Sequence, residues 1–215
     1  MSEPILQGVY GPYVIDARDR REVLGYRLAL LLAAVAQTAL LLQWRLLGPQ
    51  GLWPWLALLA LGLGLALRWI HIYLRPLHQA LQSLWLLGCL GAGVMAWRVG
   101  PDQMVAALEQ QRLWLLAIGP LFAAMAGIGF KEFFCFRRVE AIGVTLLLPL
   151  ALLGYLVGLL EPATSAGLMA IESALLLLLC GRKFPMPAAA DVGDKSVFAY
   201  LAGLDQDRQA REQLS

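Results

Sequence analysis

The sequence predicts an all-α, polytopic membrane protein with six transmembrane helices and both termini on the cytoplasmic side. Three observations predict this class. Apolar residues make up 60% of the chain and charged residues only 15%, where soluble domains carry about a quarter charged. Mean hydropathy is +0.66. Six apolar runs are long enough to cross a hydrocarbon core of ~30 Å at about 1.5 Å per residue.

Residues 1–22 read as a polar N-terminal tail in which Glu3, Asp16, Asp19 and Glu22 face Arg18, Arg20 and Arg21. This mixed, polar start does not resemble a cleavable signal, whose apolar region is only ~7–15 residues long. The transmembrane domain covers 23–181, with spans at 23–43, 52–72, 80–97, 113–130, 141–160 and 163–181. Only Leu160-Glu161-Pro162 separates the last two, and proline suits the first turn of the second. Residues 182–215 read as a cytoplasmic tail. There Val197, Leu201 and Leu204 follow Ser196 at the spacing of a short amphipathic helix.

Lys/Arg asymmetry sets the orientation. Ten basic residues near span ends lie on the side of the termini: Arg18, Arg20, Arg21, Arg68, Arg75, Lys131, Arg137, Arg138, Arg182 and Lys183. Three lie opposite, Arg45, Arg98 and Arg112. The positive-inside rule puts the richer side in the cytoplasm, or in the stroma of a plastid. Trp44, Trp53, Trp55, Trp97 and Trp114 fall at outer span ends, with Trp69 and Trp85 near inner ones, as in an aromatic belt. Small residues recur every four positions at Gly119, Ala123 and Gly127, and at Gly154 and Gly158. Such stripes let helices approach closely in lipid, so the fourth and fifth spans are expected to form the tight pair.

The densest charge between the first and last spans is the stretch Gly127 to Glu140. On a helical wheel, Phe130, Phe133 and Phe134 share one face, while Lys131, Cys135 and Arg138 share another. Glu132, Phe136 and Glu140 form a third face, and only Arg137 and Glu140 stand at an intrahelical pairing distance. Two readings follow. Lys131, Glu132, Arg137, Arg138 and Glu140 form a partner-docking platform at the inner surface, or the stretch is an interfacial turn anchored to phosphates. Under the first, replacing Lys131 and Arg138 by alanine should spare the fold and abolish partner binding. Glu172 is the one acid deep in a span, a position that by default marks function. Arg27, near the inner end of the first span, is its expected partner. His71 and His78 are seven apart, but Pro76 interrupts the helix that would align them as ligands.

Several function classes find no support. The net charge of +2 and the lack of basic runs argue against nucleic-acid partners. Cys89, Cys135 and Cys180 are an odd set without metal or disulfide spacing. No nucleophile, zincin, phosphate-loop or dinucleotide motif appears, so neither cofactor nor metal is expected and the chain is not read as an enzyme. Oligomeric state is not legible.

Two segments carry a family resemblance. The tail Val9-Tyr10-Gly11-Pro12-Tyr13-Val14-Ile15, continuing through Asp19-Arg20-Arg21-Glu22-Val23 to Tyr26-Arg27, is one. The central Gly129-Phe130-Lys131-Glu132-Phe133-Phe134-Cys135-Phe136 is the other. Together they resemble an uncharacterised integral-membrane family of cyanobacteria and chloroplasts, known as a domain of unknown function. The resemblance implies a phototroph's thylakoid or plasma membrane and supplies no activity. The leading expectation is a non-catalytic accessory or assembly protein of a membrane complex, docking partners through residues 131–140, and the resemblance points to a photosynthetic complex as one candidate. The alternative is a small-solute transporter or channel, motivated by six spans, two proline-interrupted helices and Glu172. A membrane enzyme acting on lipid or pigment is a third and weaker reading.

Overall fold

In the computed structural model, which describes residues 5–197 and 200–201, helix α1 (Ala17–Leu47) begins well before its apolar run. A capping box accounts for the early start. The Asp16 carboxylate accepts from the backbone N–H groups of Arg18 and Asp19, and the Asp19 carboxylate accepts from that of Asp16 at 2.9 Å. Two orphan donors are thus satisfied reciprocally, and the helix starts among polar residues. Its 31 residues reach about 46 Å, longer than a bilayer core.

The remaining long helices are α2 (Trp53–Trp69), α3 (Arg75–Val99), α5 (Leu115–Phe136), α6 (Val139–Leu156) and α7 (Pro162–Lys183). Prolines at the first turns of α2, α3 and α7 cost no hydrogen bond there. Among the described residues, five helices are long and apolar enough to cross a membrane, and α2, at 17 residues, is a shorter apolar helix. Residues 100–114 are more than a loop. A 3-10 turn leads into the short helix α4 (Met104–Gln110), whose Met104 and Ala107 are buried.

The six long helices form a ring in the order α2, α1, α7, α6, α5, α3, with a thinner contact closing α3 to α2. Leu30, Leu63, Leu121, Met125 and Leu148 fill its centre. Close approach is set by glycines at two seams. A Cβ at Gly62 of α2 would lie 2.7 Å from the backbone nitrogen of Ala33 in α1. One at Gly88 or Gly91 of α3 would collide with the α5 backbone at Leu121 or Ala117. The tightest glycine seams are therefore α1–α2 and α3–α5, not the fourth and fifth spans. Gly127 faces Leu81 of α3, Gly119 faces open space, and Gly158, at φ +80°, ends α6 in a turn. Trp85 is a packing residue too: its ring lies on Gly64 and its indole N–H donates to the Ala60 carbonyl at 2.8 Å.

The N-terminal tail is structured. Residues Ile5–Gly8 (β1) and Gly11–Val14 (β2) pair antiparallel, with Ile5 opposite Val14 and Gly8 opposite Gly11. The hairpin rests on the segment after α7, which contains helix α8 (Ala188–Val192). Val9 N–H donates to Asp194 at 2.7 Å, Tyr10 N–H donates to Ser196 at 3.0 Å, and the Tyr10 and Tyr200 rings stack at 4.1 Å. Ile15, Val23 and Val192 form a small apolar cluster beneath it. Hairpin and α8 share one end of the bundle, called here the tail end. The amphipathic helix expected on Val197, Leu201 and Leu204 falls partly outside the described residues.

Candidate functional site: a buried ion network at the tail end

The last turns of α5 carry Lys131 and Glu132 inward. Both are buried, Glu132 completely. Around Glu132 the neighbouring helices supply donors. Tyr26 of α1 donates its hydroxyl to Oε1 at 2.6 Å, Lys131 reaches the same oxygen at 3.2 Å, and Lys183 of α7 reaches Oε2 at 2.6 Å. Lys183, itself 1% exposed, also binds the Asp191 carboxylate of α8. Arg27 of α1 completes the chain, its Nε meeting the other Asp191 oxygen at 2.8 Å. The same guanidinium donates to the backbone carbonyls of Phe184, Met186 and Pro187 at 3.0–3.4 Å. Both lysine ammoniums stand over the Tyr26 and Phe136 rings.

Isolated charges in such surroundings would be prohibitively costly, and pairing with full hydrogen bonding offsets that cost. Three cations and two carboxylates from α1, α5, α7 and α8 therefore form one unit. A second unit sits beside it. Glu140, 1% exposed at the start of α6, pairs with Arg138 at 3.4 Å and with Arg182 at 3.1 Å.

These positions revise the platform expected at 131–140. Lys131, Glu132 and Glu140 point into the protein and are spent on internal partners. Arg138 is half-buried on Glu140 and on the Met186 sulfur. The stretch is not one helix: α5 stops at Phe136, Arg137 takes a left-handed conformation (φ 50°), and α6 begins at Val139. The expected Arg137–Glu140 pair is thereby replaced by Arg138–Glu140. Of the five residues, Arg137 alone is fully exposed, flanked by Phe134 and Val139, each 75% exposed.

The Arg27–Glu172 pair does not form. Arg27 is taken by Asp191, a tail residue with no local signal for burial. Glu172 instead accepts from the Gln37 carboxamide of α1, which also donates to Ser173 at 2.7 Å. Gln37 Oε1 and Glu172 Oε1 have no partner. Asp191, Lys183, Tyr26 and Gln37 are the residues sequence reasoning missed. For Tyr26, Gln37 and Lys183 the available signal was polar or charged character at the edge of, or within, apolar runs.

The two histidines do not come together as ligands: His78 bonds the Leu67 carbonyl at 2.7 Å and His71 lies 3.6 Å from Glu22. Asp19, Glu22 and His71 bring one ligand atom each within 4.8 Å of one another. Asp19, however, already holds the Lys195 ammonium at 2.7 Å, so the group is an ion-pair cluster. Cys89, Cys135 and Cys180 are free thiols. At the opposite end of the bundle, an apolar cavity of about 110 Å³ lies under α4 between Trp44, Met104, Tyr155 and Met169.

A ring of apolar helices stitched by internally neutralised charges defines an integral membrane protein of the helical-bundle class. The profile of a family described as uncharacterized integral membrane protein, DUF2301, matches residues 65–200, more than half of the chain. The chain belongs to that family. Glu132, Glu172, Lys183 and Asp191 lie inside the matched stretch, whereas Tyr26, Arg27 and Gln37 precede it. No curated protein and no solved structure matches the chain.

Proposed function

We propose that this protein is a non-enzymatic accessory or assembly factor of a membrane complex, docking its partner at the tail end. The observation that carries the reading is the α5–α6 turn. It presents Phe134, Arg137 and Val139 outward while Lys131, Glu132 and Glu140 anchor it from behind. Two exposed apolar side chains beside a cation, on a backbone held by buried ion pairs, suit a preorganised anchor. The docking group is thus narrower than the five residues of the sequence platform. In this reading α2 is the sixth span: its 17 residues cover about 25 Å, near the lower limit for crossing. Ten basic residues against three favour a cytoplasmic tail end. The family resemblance favours a thylakoid or plasma membrane and a photosynthetic partner.

Affinity purification from the native membrane tests this with a turn variant, Phe134→Ser with Arg137→Glu and Val139→Ser. Loss of co-purifying proteins with unchanged thermal stability is expected. Retention of the full set would remove the docking role. The second reading, a small-solute transporter or channel, is favoured by the unpaired oxygens of Gln37 and Glu172. Liposome flux at background level in both the wild type and Glu172→Gln would eliminate it.

A further inference from the structure

We propose that Glu172 is a proton-bearing carboxyl site, reached through a groove between α1 and α7 that opens toward the end of the bundle opposite the tails. This goes beyond docking, since it concerns different residues at a different depth. Glu172, Gln37 and Ser173 are 0%, 1% and 2% exposed. Both hydrogens of the Gln37 carboxamide are committed, one to Glu172 Oε2 and one to Ser173 Oγ. Two acceptor oxygens, Gln37 Oε1 and Glu172 Oε1, find no hydrogen-bond partner among the described residues.

A single proton answers this. Placed on Glu172, it neutralises the buried carboxylate and supplies a hydrogen to a pair of residues that is short of one. At the tail end of these two helices the cations are engaged elsewhere, Arg27 with Asp191, Lys183 with Glu132 and Asp191, and Arg182 with Glu140, while Arg45, about two turns beyond Gln37 on α1, lines the groove described below. A neutral carboxylic acid is also the form that an apolar interior accepts. Removing the proton would leave an unbalanced buried charge at the α1–α7 seam, where the Gln37 amide holds Glu172 and Ser173, so the site couples proton binding to that contact.

Access comes from small side chains. Ala166, Ala170 and Ser173 on α7 face Thr38, Leu42 and Arg45 on α1 across a groove of about 810 Å³. Ser173 belongs both to the groove wall and to the Gln37 cluster. The groove thus ends at the residue beside the acid, and a small apolar molecule moving along it arrives there.

An apolar carbodiimide, dicyclohexylcarbodiimide, reads such a proton. The carboxylic acid gives its proton to one carbodiimide nitrogen while the carboxylate oxygen bonds to the central carbon. The O-acylisourea then rearranges, moving the acyl group from oxygen to nitrogen, to a stable N-acylurea. Nothing leaves, and the protein gains the mass of one reagent. An ionised carboxylate lacks the proton the first step requires.

The experiment treats the purified full chain in lipid nanodiscs with the reagent and follows intact mass and peptide fragments. One added reagent, mapped to Glu172, is expected. Glu172→Gln should take up none there, and Ala170→Phe, which fills the groove without touching the pair, should slow labelling severalfold. Thr38→Val, on the groove wall, should label at the wild-type rate. An unmodified Glu172 in folded wild-type protein would overturn the site. Labelling of Ala170→Phe at the wild-type rate would overturn the route. If Glu172→Gln fails to fold, peptide mapping of the wild type decides alone. None of these outcomes depends on whether a partner docks at Phe134, Arg137 and Val139.

Discussion

Glu132 and Glu172 are the same residue type at the same exposure, 0%, yet the protein provides for them in opposite ways. Glu132 has a donor on each oxygen and two ammoniums to balance its charge. Glu172 has the Gln37 amide and the Ser173 hydroxyl beside it, and among the described residues no cation to balance it. Burial alone therefore says little about what a carboxylate does. The count of hydrogens aimed at it says more: a fully supplied acid is a fastener, and an undersupplied one is a place where something binds.

The largest expected effect breaks or keeps that distinction directly. Glu132→Gln preserves shape but leaves Lys131 and Lys183 facing a neutral amide. Removing one partner of a buried pair costs about 3–5 kcal/mol. Glu172→Gln removes no counter-charge and should change stability by less than about 1 kcal/mol. Thermal unfolding of both variants in the same detergent compares them, and equal losses would erase the difference.

Next in size is Arg27→Gln, which should cost about 2–3 kcal/mol, because hydrogen bonds to charged groups contribute about 1.5–3. The loss should be local as well as global. Hydrogen exchange should accelerate over 184–192, the segment whose carbonyls and Asp191 the guanidinium holds. Pairing Arg27→Gln with Lys183→Met gives a double-mutant cycle around Asp191, and a coupling of about 0.5–3 kcal/mol is expected for shared networks. Strict additivity would mean that Asp191 is served by two independent contacts rather than by one unit.

A gain is expected at the turn. Arg137 is the one non-glycine residue with positive φ among those described, and left-handed backbone costs an L residue roughly 1–2 kcal/mol. Arg137→Gly should stabilise by about 1 kcal/mol, the terms being strain removed and added unfolded-state entropy. If melting falls instead, Arg137 makes a contribution at the turn that outweighs its strain.

Much of the architecture was legible because lipid imposes simple rules on sequence. Apolar length located the six helices, and Pro162 marked where α7 starts. The site was less legible, for a physical reason. A helical wheel assigns charges to faces but cannot say which face meets another helix. Lys131 and Glu132 looked free because their partners, Lys183 and Tyr26, come from segments far along the chain. Asp191 sat in a tail with no apolar period, so its burial by Arg27 had no local signal. The hairpin at 5–14 was hidden similarly, since a two-stranded ribbon is stable only against a surface. That surface is built from Asp194 and Ser196 at the other end of the sequence.

The smallest effect is a pH dependence at the tail end. His71 lies between α2 and α3, outside the spanning helices, and burial holds its pKa below the ordinary histidine value, with the Glu22 carboxylate opposing in part. The neutral ring is therefore favoured in the folded protein. As pH falls below about 6.5, the unfolded chain takes up the proton first, and stability drops until the folded pKa is passed. Above about 6.5 the contribution is complete. His71→Gln should flatten the melting temperature across this window while leaving its value above pH 7 nearly unchanged, which thermal scans in a pH series can resolve. Glu22→Gln should do the reverse: without the carboxylate the ring is held neutral more firmly, so the acid-side decline steepens. If both variants parallel the wild type, the pH response of the tail end comes from a group other than His71.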